Sequence, residues 1–210
     1  MRTQAHRDMT QRRSQTINPF VLNISVGEEL ILSDFDLENF IRGKRLVIKP
    51  FLKDTIRENG VDLRLDNQIG RHNENVGDDF VLDPSKQEHI NLAFKIEKNQ
   101  KQLFLKGRSQ VLLSTKEYIK LPNDLMGFVE LRSTWARHGL ALPPTIIDAG
   151  FEGNVTLEVL NNAPYPILLK PGVRFAHVIF AATMNQVKNI YNGKVYQGQR
   201  GVKLPKVINE

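Results

Sequence analysis

The chain contains no cysteine. That excludes disulfides, thiolate metal ligands and cysteine nucleophiles, although it does not fix the compartment. No apolar run approaches the roughly 20 residues that a membrane-spanning helix needs. The first 19 residues are polar and Arg-rich, unlike a secretory signal. A cytoplasmic protein without a membrane partner is therefore expected. Glycine-rich phosphate loops are missing as well, since neither a Walker sequence nor G-x-G-x-x-G occurs. His72 and Glu74 start the His-x-Glu half of the zinc-deaminase signature, but its second half needs two cysteines. The pair reads as loop residues. The other histidines (His6, His89, His138 and His177) have no helical ligand spacing, so no zinc site is expected.

What is present is ordinary globular material. The 210 residues are 40% hydrophobic and 25% charged, enough for one domain with a sizeable core. The net charge is +6, and Arg2, Arg7, Arg12 and Arg13 against Asp8 put half of that excess in residues 1–26. The remainder is close to balanced, which argues against a nucleic-acid partner and leaves room for a local anion site.

Residues 1–29 lack sustained periodicity and read as an extension, disordered or docked through "PFVLNISV" (19–26) as a short strand. "SDFDLENFIRG" (33–43) reads as a helix. Ser33 and Asp36 suit a capping box, Phe35, Leu37, Phe40 and Ile41 form an apolar stripe, and Gly43 suits the C′ position. Short strands then dominate: 45–51, 60–65, 102–106, 110–115, 118–121, 126–131, 165–170 and 173–181, with turn signals between them. Residues 70–100 are polar and read as surface excursions. The pattern predicts a mainly all-β antiparallel sandwich or barrel, with a short N-terminal helix and one short internal helix at "RSTWARHG" (132–139). Ser133 or Thr134 would cap that internal helix, and packing of Trp135 would have to hold so short an element.

Three stretches carry candidate chemistry. At 132–139, a helix N-terminus, Arg132, Arg137 and the hydroxyls of Ser133 and Thr134 would suit a multiply charged oxyanion such as a triphosphate. A capped connector with exposed arginines is the plainer reading. Glu158 lies in "NVTLEVL" (154–160), where Val155, Leu157 and Val159 share one face and Asn154, Thr156 and Glu158 share the other. Period-2 geometry leaves open a solvated glutamate or an acid–base group. "YNGKVYQGQRGVKLPK" (191–206) is a mobile tail, or a lid whose amides and Lys194 close over a polar ligand.

Taken together, "LRSTWARHGLALPPTIIDAGFEGNVTLEV" resembles the dCTP deaminase family, whose fold is shared with trimeric dUTPases. "ILSDFDLENFIRGKRLVIKPF" and "DTIRENGVDLRL" resemble that family's opening helix and early strands, and "GKVYQGQRGV" its C-terminal lid. The resemblance runs from about Ile31 to Lys206 and is nearest to archaeal-type members. It implies a distorted antiparallel β-barrel or jelly roll of the dUTPase-like type over 30–190, with a lid or tail over 191–210.

The activity implied is hydrolytic deamination of dCTP to dUTP and ammonia without a catalytic metal, Mg²⁺ entering only on the nucleotide triphosphate. Glu158 falls at the family's acid–base glutamate, Ser133 at the serine that helps hold water, and Arg137 at the arginine that meets developing charge and phosphate. Arg132, Thr134, Trp135 and Ala136 complete the substrate-binding run. Asp148 matches the acid near the deoxyribose. Thr156 and Leu157 with Glu158 line the base, and Tyr191, Lys194 and Gln199 match lid residues.

The resemblance further implies a homotrimer with shared active sites and dTTP as a feedback inhibitor. Pro143-Pro144 replaces the Thr-Ala of many bacterial members, Val195 is an extra residue in the lid, and residues 1–29 have no family counterpart. The alternatives are a dUTPase or a bifunctional enzyme releasing dUMP and diphosphate, and a non-catalytic nucleotide-binding regulator.

Overall fold

The computed structural model describes residues 31–191 and 196–208. The expectations for residues 1–29, for Lys194 and for Val195 lie outside them. The described chain opens with Ile31 bridged to Ala181 and with Leu32, fully buried, donating its N–H to the Phe180 carbonyl.

Helix α1 (Asp34–Arg42) forms as its sequence requires. Ser33 accepts from the Asp36 N–H, while the Asp36 carboxylate accepts from the Ser33 N–H, so two orphan donors are satisfied reciprocally. Two details of the expectation fail. Phe35 points into solvent, and only Leu37 of the stripe is fully buried, with Phe40 and Ile41 packed at the core's edge. Gly43 keeps a φ of −74°, and the left-handed residue is Lys44 at 57°. The Gly43 N–H still reaches the Asn39 carbonyl, so the turn closes one residue later than a C′ glycine would place it.

Twelve strands follow: β1 (Val47–Lys49), β2 (Ile56–Arg57), β3 (Gly60–His72), β4 (Phe94–Glu97), β5 (Leu103–Leu105), β6 (Ser109–Lys120), β7 (Leu125–Leu131), β8 (Leu140–Ala141), β9 (Thr145–Ile147), β10 (Glu152–Asn161), β11 (Ile167–Leu169) and β12 (Arg174–Ala182). The main sheet runs β8-β10-β6-β3-β12-β7-β9, all antiparallel, with β1 added to β6 and with β2 and β4 added to β3. Register shifts in β3, β10 and β12 mark irregularities that bend the sheet, and it curls as a half-barrel. The pair β5–β11 closes over its inside with Leu103, Leu105 and Leu169. Phe175, Phe180, Leu63, Leu65, Leu113, Leu157 and Val159 fill the centre.

Two expected strands, 110–115 and 118–121, are one continuous β6. Glu117 interrupts the apolar pattern there, yet it is fully buried because its carboxylate accepts from the Arg64 backbone N–H (2.7 Å) and from Arg64 Nη1 (3.1 Å). A paired charge can occupy a strand interior that an unpaired one cannot. Residues 70–100 hold more structure than expected. Strand β3 continues to His72, and helix α2 (Gln87–Ala93) buries Ile90 and Ala93. Its N-cap, Lys86, makes no side-chain cap bond, so the usual start signal is absent.

Candidate active site

Strand β10 lies between β6 and β8, with Glu158 opposite Leu112 and Thr156 opposite Ser114. A bulge between Asn154 and Thr156 resets the alternation. Asn154 is buried and donates its amide to the carbonyls of Thr115, Lys116 and Glu117. Beyond the bulge Leu157 and Val159 turn into the core, while Thr156 and Glu158 turn to the opposite face.

That face is covered. Residues 196–203 run alongside β10 in the parallel sense. The Asn154 N–H donates to the Gln199 carbonyl, the Gly198 N–H to Glu152, and the Lys203 N–H to Thr156 Oγ1. Val202 is buried, and the Arg200 guanidinium lies 3.9 Å from the centroid of the Tyr118 ring. Gly153 has a φ of 151° and faces Gln199 across a parallel bridge; a Cβ there would meet Gln199 atoms at 3.0–3.1 Å. Glycine is thus required by both backbone conformation and close approach. The described part of the tail is docked rather than loose.

Between tail and sheet is a cavity of about 500 Å³. Asp148, Thr156, Glu158, Tyr191 and Gln199 all line it, so five of the residues expected at a substrate site converge there. Leu112, Phe94, Ile147, Val155 and Phe151 supply apolar wall. Burial beside this wall raises the Glu158 carboxyl above the ordinary glutamate value, opposed in part by a backbone hydrogen bond. Asp148 enters from the turn closed by the Phe151 N–H on its carbonyl. The Tyr191 N–H bonds Ala149, and its ring packs 5.7 Å from Phe151. Burial, then the charges of Asp148 and Tyr196, raise the Tyr191 phenol. Gln199 is 7% exposed; its Nε2 donates to Asn154, and its Oε1 has no partner among the described residues.

Leu157 is a correction. Its side chain is fully buried in the core, so only its backbone can contribute to the cavity. Other wall residues were not singled out as binding residues: Gln110, Tyr196, Lys203 and His72. His72, read from sequence as a loop residue, ends β3 and packs 4.7 Å from Phe94. Only the tail's return along β10 brings Tyr196 and Lys203 to the site, and no local pattern announces that.

Helix α3 (Ser133–Arg137) stands elsewhere. Its N-cap is Arg132, without a side-chain cap bond, so neither Ser133 nor Thr134 caps it. The segment is held instead by the Arg132 N–H on the Phe175 carbonyl and by Trp135. Trp135 Nε1 donates to the Arg174 carbonyl at 2.8 Å, and the ring lies 5.8 Å from Phe175. A five-residue turn adds few aligned dipoles, so the helix end itself is a weak anion site. Ser133, Thr134, Ala136 and Arg137 are exposed. Arg132 and Ser133 border a separate cleft of about 320 Å³ with Arg57, Asp62 and His177. None of residues 132–137 lines the Glu158 cavity within one chain.

Among the described residues no three His, Asp or Glu side chains group as a metal-ligand set, and no helix is long and apolar enough to cross a membrane.

A curled antiparallel sheet with a desolvated glutamate in a part-polar cavity, closed by its own C-terminal segment, defines an all-β scaffold with a candidate site on one face. Residues 31–183 match the family described as dCTP deaminase-like, and the chain belongs to that family. It is 48% identical over 181 residues to a dCTP deaminase of Sulfurisphaera tokodaii, covering 86% of this chain and 94% of that one. It is 49% identical over 181 residues to a probable deoxyuridine 5'-triphosphate nucleotidohydrolase of Sulfolobus islandicus rod-shaped virus 1, covering 84% and 99%. Among solved structures, a 2'-deoxycytidine 5'-triphosphate deaminase from Agrobacterium tumefaciens shares the fold, with a TM-score of 0.56 at 21% identity. That match covers 73% of this chain and 46% of the other.

Proposed function

We propose that this enzyme hydrolyses dCTP to dUTP and ammonia, with Glu158 as the acid–base group. The observation that carries the reading is the half-buried Glu158 carboxyl in a cavity with Asp148, Thr156, Tyr191 and Gln199, in a chain of the dCTP deaminase-like family. Water adds to C4 of the cytosine ring. Glu158 takes one proton from the water and delivers it to the ring nitrogen, then takes the second from the hydroxyl now on C4 and passes it to the amine as the C4–N bond breaks. Ammonia leaves and the carbonyl forms. A carboxyl held above its usual range is suited to both halves of that cycle. In this reading Asp148 and Tyr191 contact the deoxyribose, supported by their common cavity, and the unpaired Gln199 Oε1 offers an acceptor within the wall.

The α3 residues find their role in a homotrimer. Exposed Ser133, Thr134 and Arg137 of one subunit complete a neighbour's cavity, with Arg132 and Arg137 on the triphosphate. Mg²⁺ held by the triphosphate oxygens offsets their charge. A nucleotide of similar shape, dTTP, would compete for the same cavity as a feedback inhibitor. Further hydrolysis of dUTP to dUMP is the second reading, favoured by the viral relative's name and by Asp148 in the same cavity as Glu158. Incubation with dCTP and Mg²⁺, followed by separation of products, tests both readings. Accumulating dUTP supports deamination alone, dUMP with diphosphate the bifunctional enzyme, and unchanged dCTP removes both.

A further inference from the structure

We infer that Asp62 is a positioning residue that sets the Arg132 guanidinium for the substrate's triphosphate. The inference rests on the function proposed above and adds to it a residue that touches no substrate.

Asp62 is 1% exposed on β3, directly opposite His177 of β12. Three basic side chains meet its two oxygens. His177 Nδ1 lies 3.0 Å from Oδ1, and Arg174 Nη1 and Arg132 Nε lie 3.3 and 3.4 Å from Oδ2. Arg174 is shared with Asp54, so Arg132 helps to balance the buried carboxylate. The contact also fixes the direction of a side chain that remains 28% exposed.

The contact takes the Nε edge. Among the described residues Arg132 makes no other ion pair, so both Nη groups stay available for an oxyanion. Asp62, Arg132 and Ser133 border the same cleft of about 320 Å³. The main chain beneath is held independently, by the Arg132 N–H on Phe175 (3.0 Å) and by Trp135 on Arg174 (2.8 Å). Asp62 is itself backed by a run of alternating charges. Arg174 Nε lies 3.6 Å from Asp54, Asp54 pairs with Arg64, and Arg64 pairs with the buried Glu117. Arg132 thus extends from a rigid network, and its rotamer is set before a ligand arrives, which reduces the ordering lost on binding.

The sign of the effect separates positioning from simple electrostatics. A carboxylate near a triphosphate repels it, so deleting the Asp62 charge should tighten binding if proximity were all. Positioning demands the reverse. In the full-length protein, KM and kcat for dCTP are compared in wild type, Asp62→Glu, Asp62→Asn, Arg132→Ala and the Asp62→Asn/Arg132→Ala double variant. Inorganic triphosphate binding is measured alongside by calorimetry.

We expect Asp62→Glu and Asp62→Asn to raise KM about tenfold with kcat nearly unchanged, the effect of freeing one long side chain. In the Arg132→Ala background, Asp62→Asn should then change KM less than about twofold, because the two act as one unit. A lowered or unchanged KM in Asp62→Glu, or a full effect without Arg132, overturns the inference. Asp62→Glu keeps the cluster's charge, so it decides alone if Asp62→Asn fails to fold. Wild type that leaves dCTP unchanged would remove the deaminase reading instead, and triphosphate binding across the same variants would still judge Asp62.

Discussion

Glu158 of β10 stands directly opposite Leu112 of β6, and both side chains face the cavity beneath the C-terminal segment. In an antiparallel pair, opposite residues share a face and pack side by side. The carboxyl is thus held against an aliphatic neighbour in a partly dry pocket, which raises its pKa. The same strand turns Leu157 and Val159 into the core, so the position of Glu158 is set by the most buried part of the fold.

Glu158→Gln keeps shape and removes the proton shuttle. Turnover of dCTP should fall at least about 10²–10⁴-fold, the usual contribution of such a group, while substrate still binds. Single-turnover kinetics with a binding isotherm check both parts. Near-normal turnover would return Glu158 to a passive wall residue.

The raised carboxyl also fixes the sign of a pH effect. Its native pKa lies above the usual 4.5, so the fold favours the protonated form. Stability from this group is present below 4.5 and is lost as pH rises through the native value. At neutral pH the ionised side chain therefore weakens the fold, and Glu158→Gln should melt at the same temperature or about 1–4 °C higher. In wild type the acid limb of kcat/KM should lie above 4.5, because the base must start ionised. A limb at or below that value would contradict the desolvated site.

Much of this architecture was legible in the sequence, and the failures have physical causes. Ser33 and Asp36 announced α1, and alternation set Leu157 and Val159 apart from Glu158. Alternation could not say whether the Glu158 face was solvent or a covered cavity, because the cover is a segment some 40 residues later in the chain. Glu117 looked like a break between strands until Arg64, more than 50 residues earlier, paired with it. Helix α2 carries no capping signal, and α3 borrows its anchor from Trp135 and β12 rather than from Ser133 or Thr134. Long-range partners decided each of these, and local pattern does not contain them.

Docking of the tail gives a prediction at Gly153. Its φ of 151° disfavours any side chain, and a Cβ would press on Gln199. Gly153→Ala should cost about 1–3 kcal/mol and raise the KM for dCTP, because Gln199, Tyr196 and Lys203 would no longer sit as the cavity wall. Limited proteolysis of the C-terminal segment alongside thermal melting checks both effects. Unchanged tail protection would show that the segment does not depend on this contact.

Metal dependence should follow the nucleotide rather than the protein. Removing Mg²⁺ should weaken dCTP turnover by leaving triphosphate charge uncompensated, whereas a zinc-selective chelator should leave turnover intact when Mg²⁺ is restored. Loss of activity recovered only by zinc would replace the proposed chemistry with a zinc-activated water.

Shared sites give the most specific test. Glu158 lines one cavity and Ser133 another within a chain, and in the proposed reading a complete site draws them from two subunits. Glu158→Gln and Ser133→Ala enzymes should each be nearly inactive. In a re-equilibrated mixture, a site carries the intact glutamate half the time and the intact serine half the time. Roughly a quarter of wild-type activity should return if subunits exchange freely. Mass spectrometry would confirm that mixed trimers have formed before activity is read. Mixed trimers without recovered turnover would show that Ser133 and Glu158 act within the same chain, and would require α3 to move onto its own cavity.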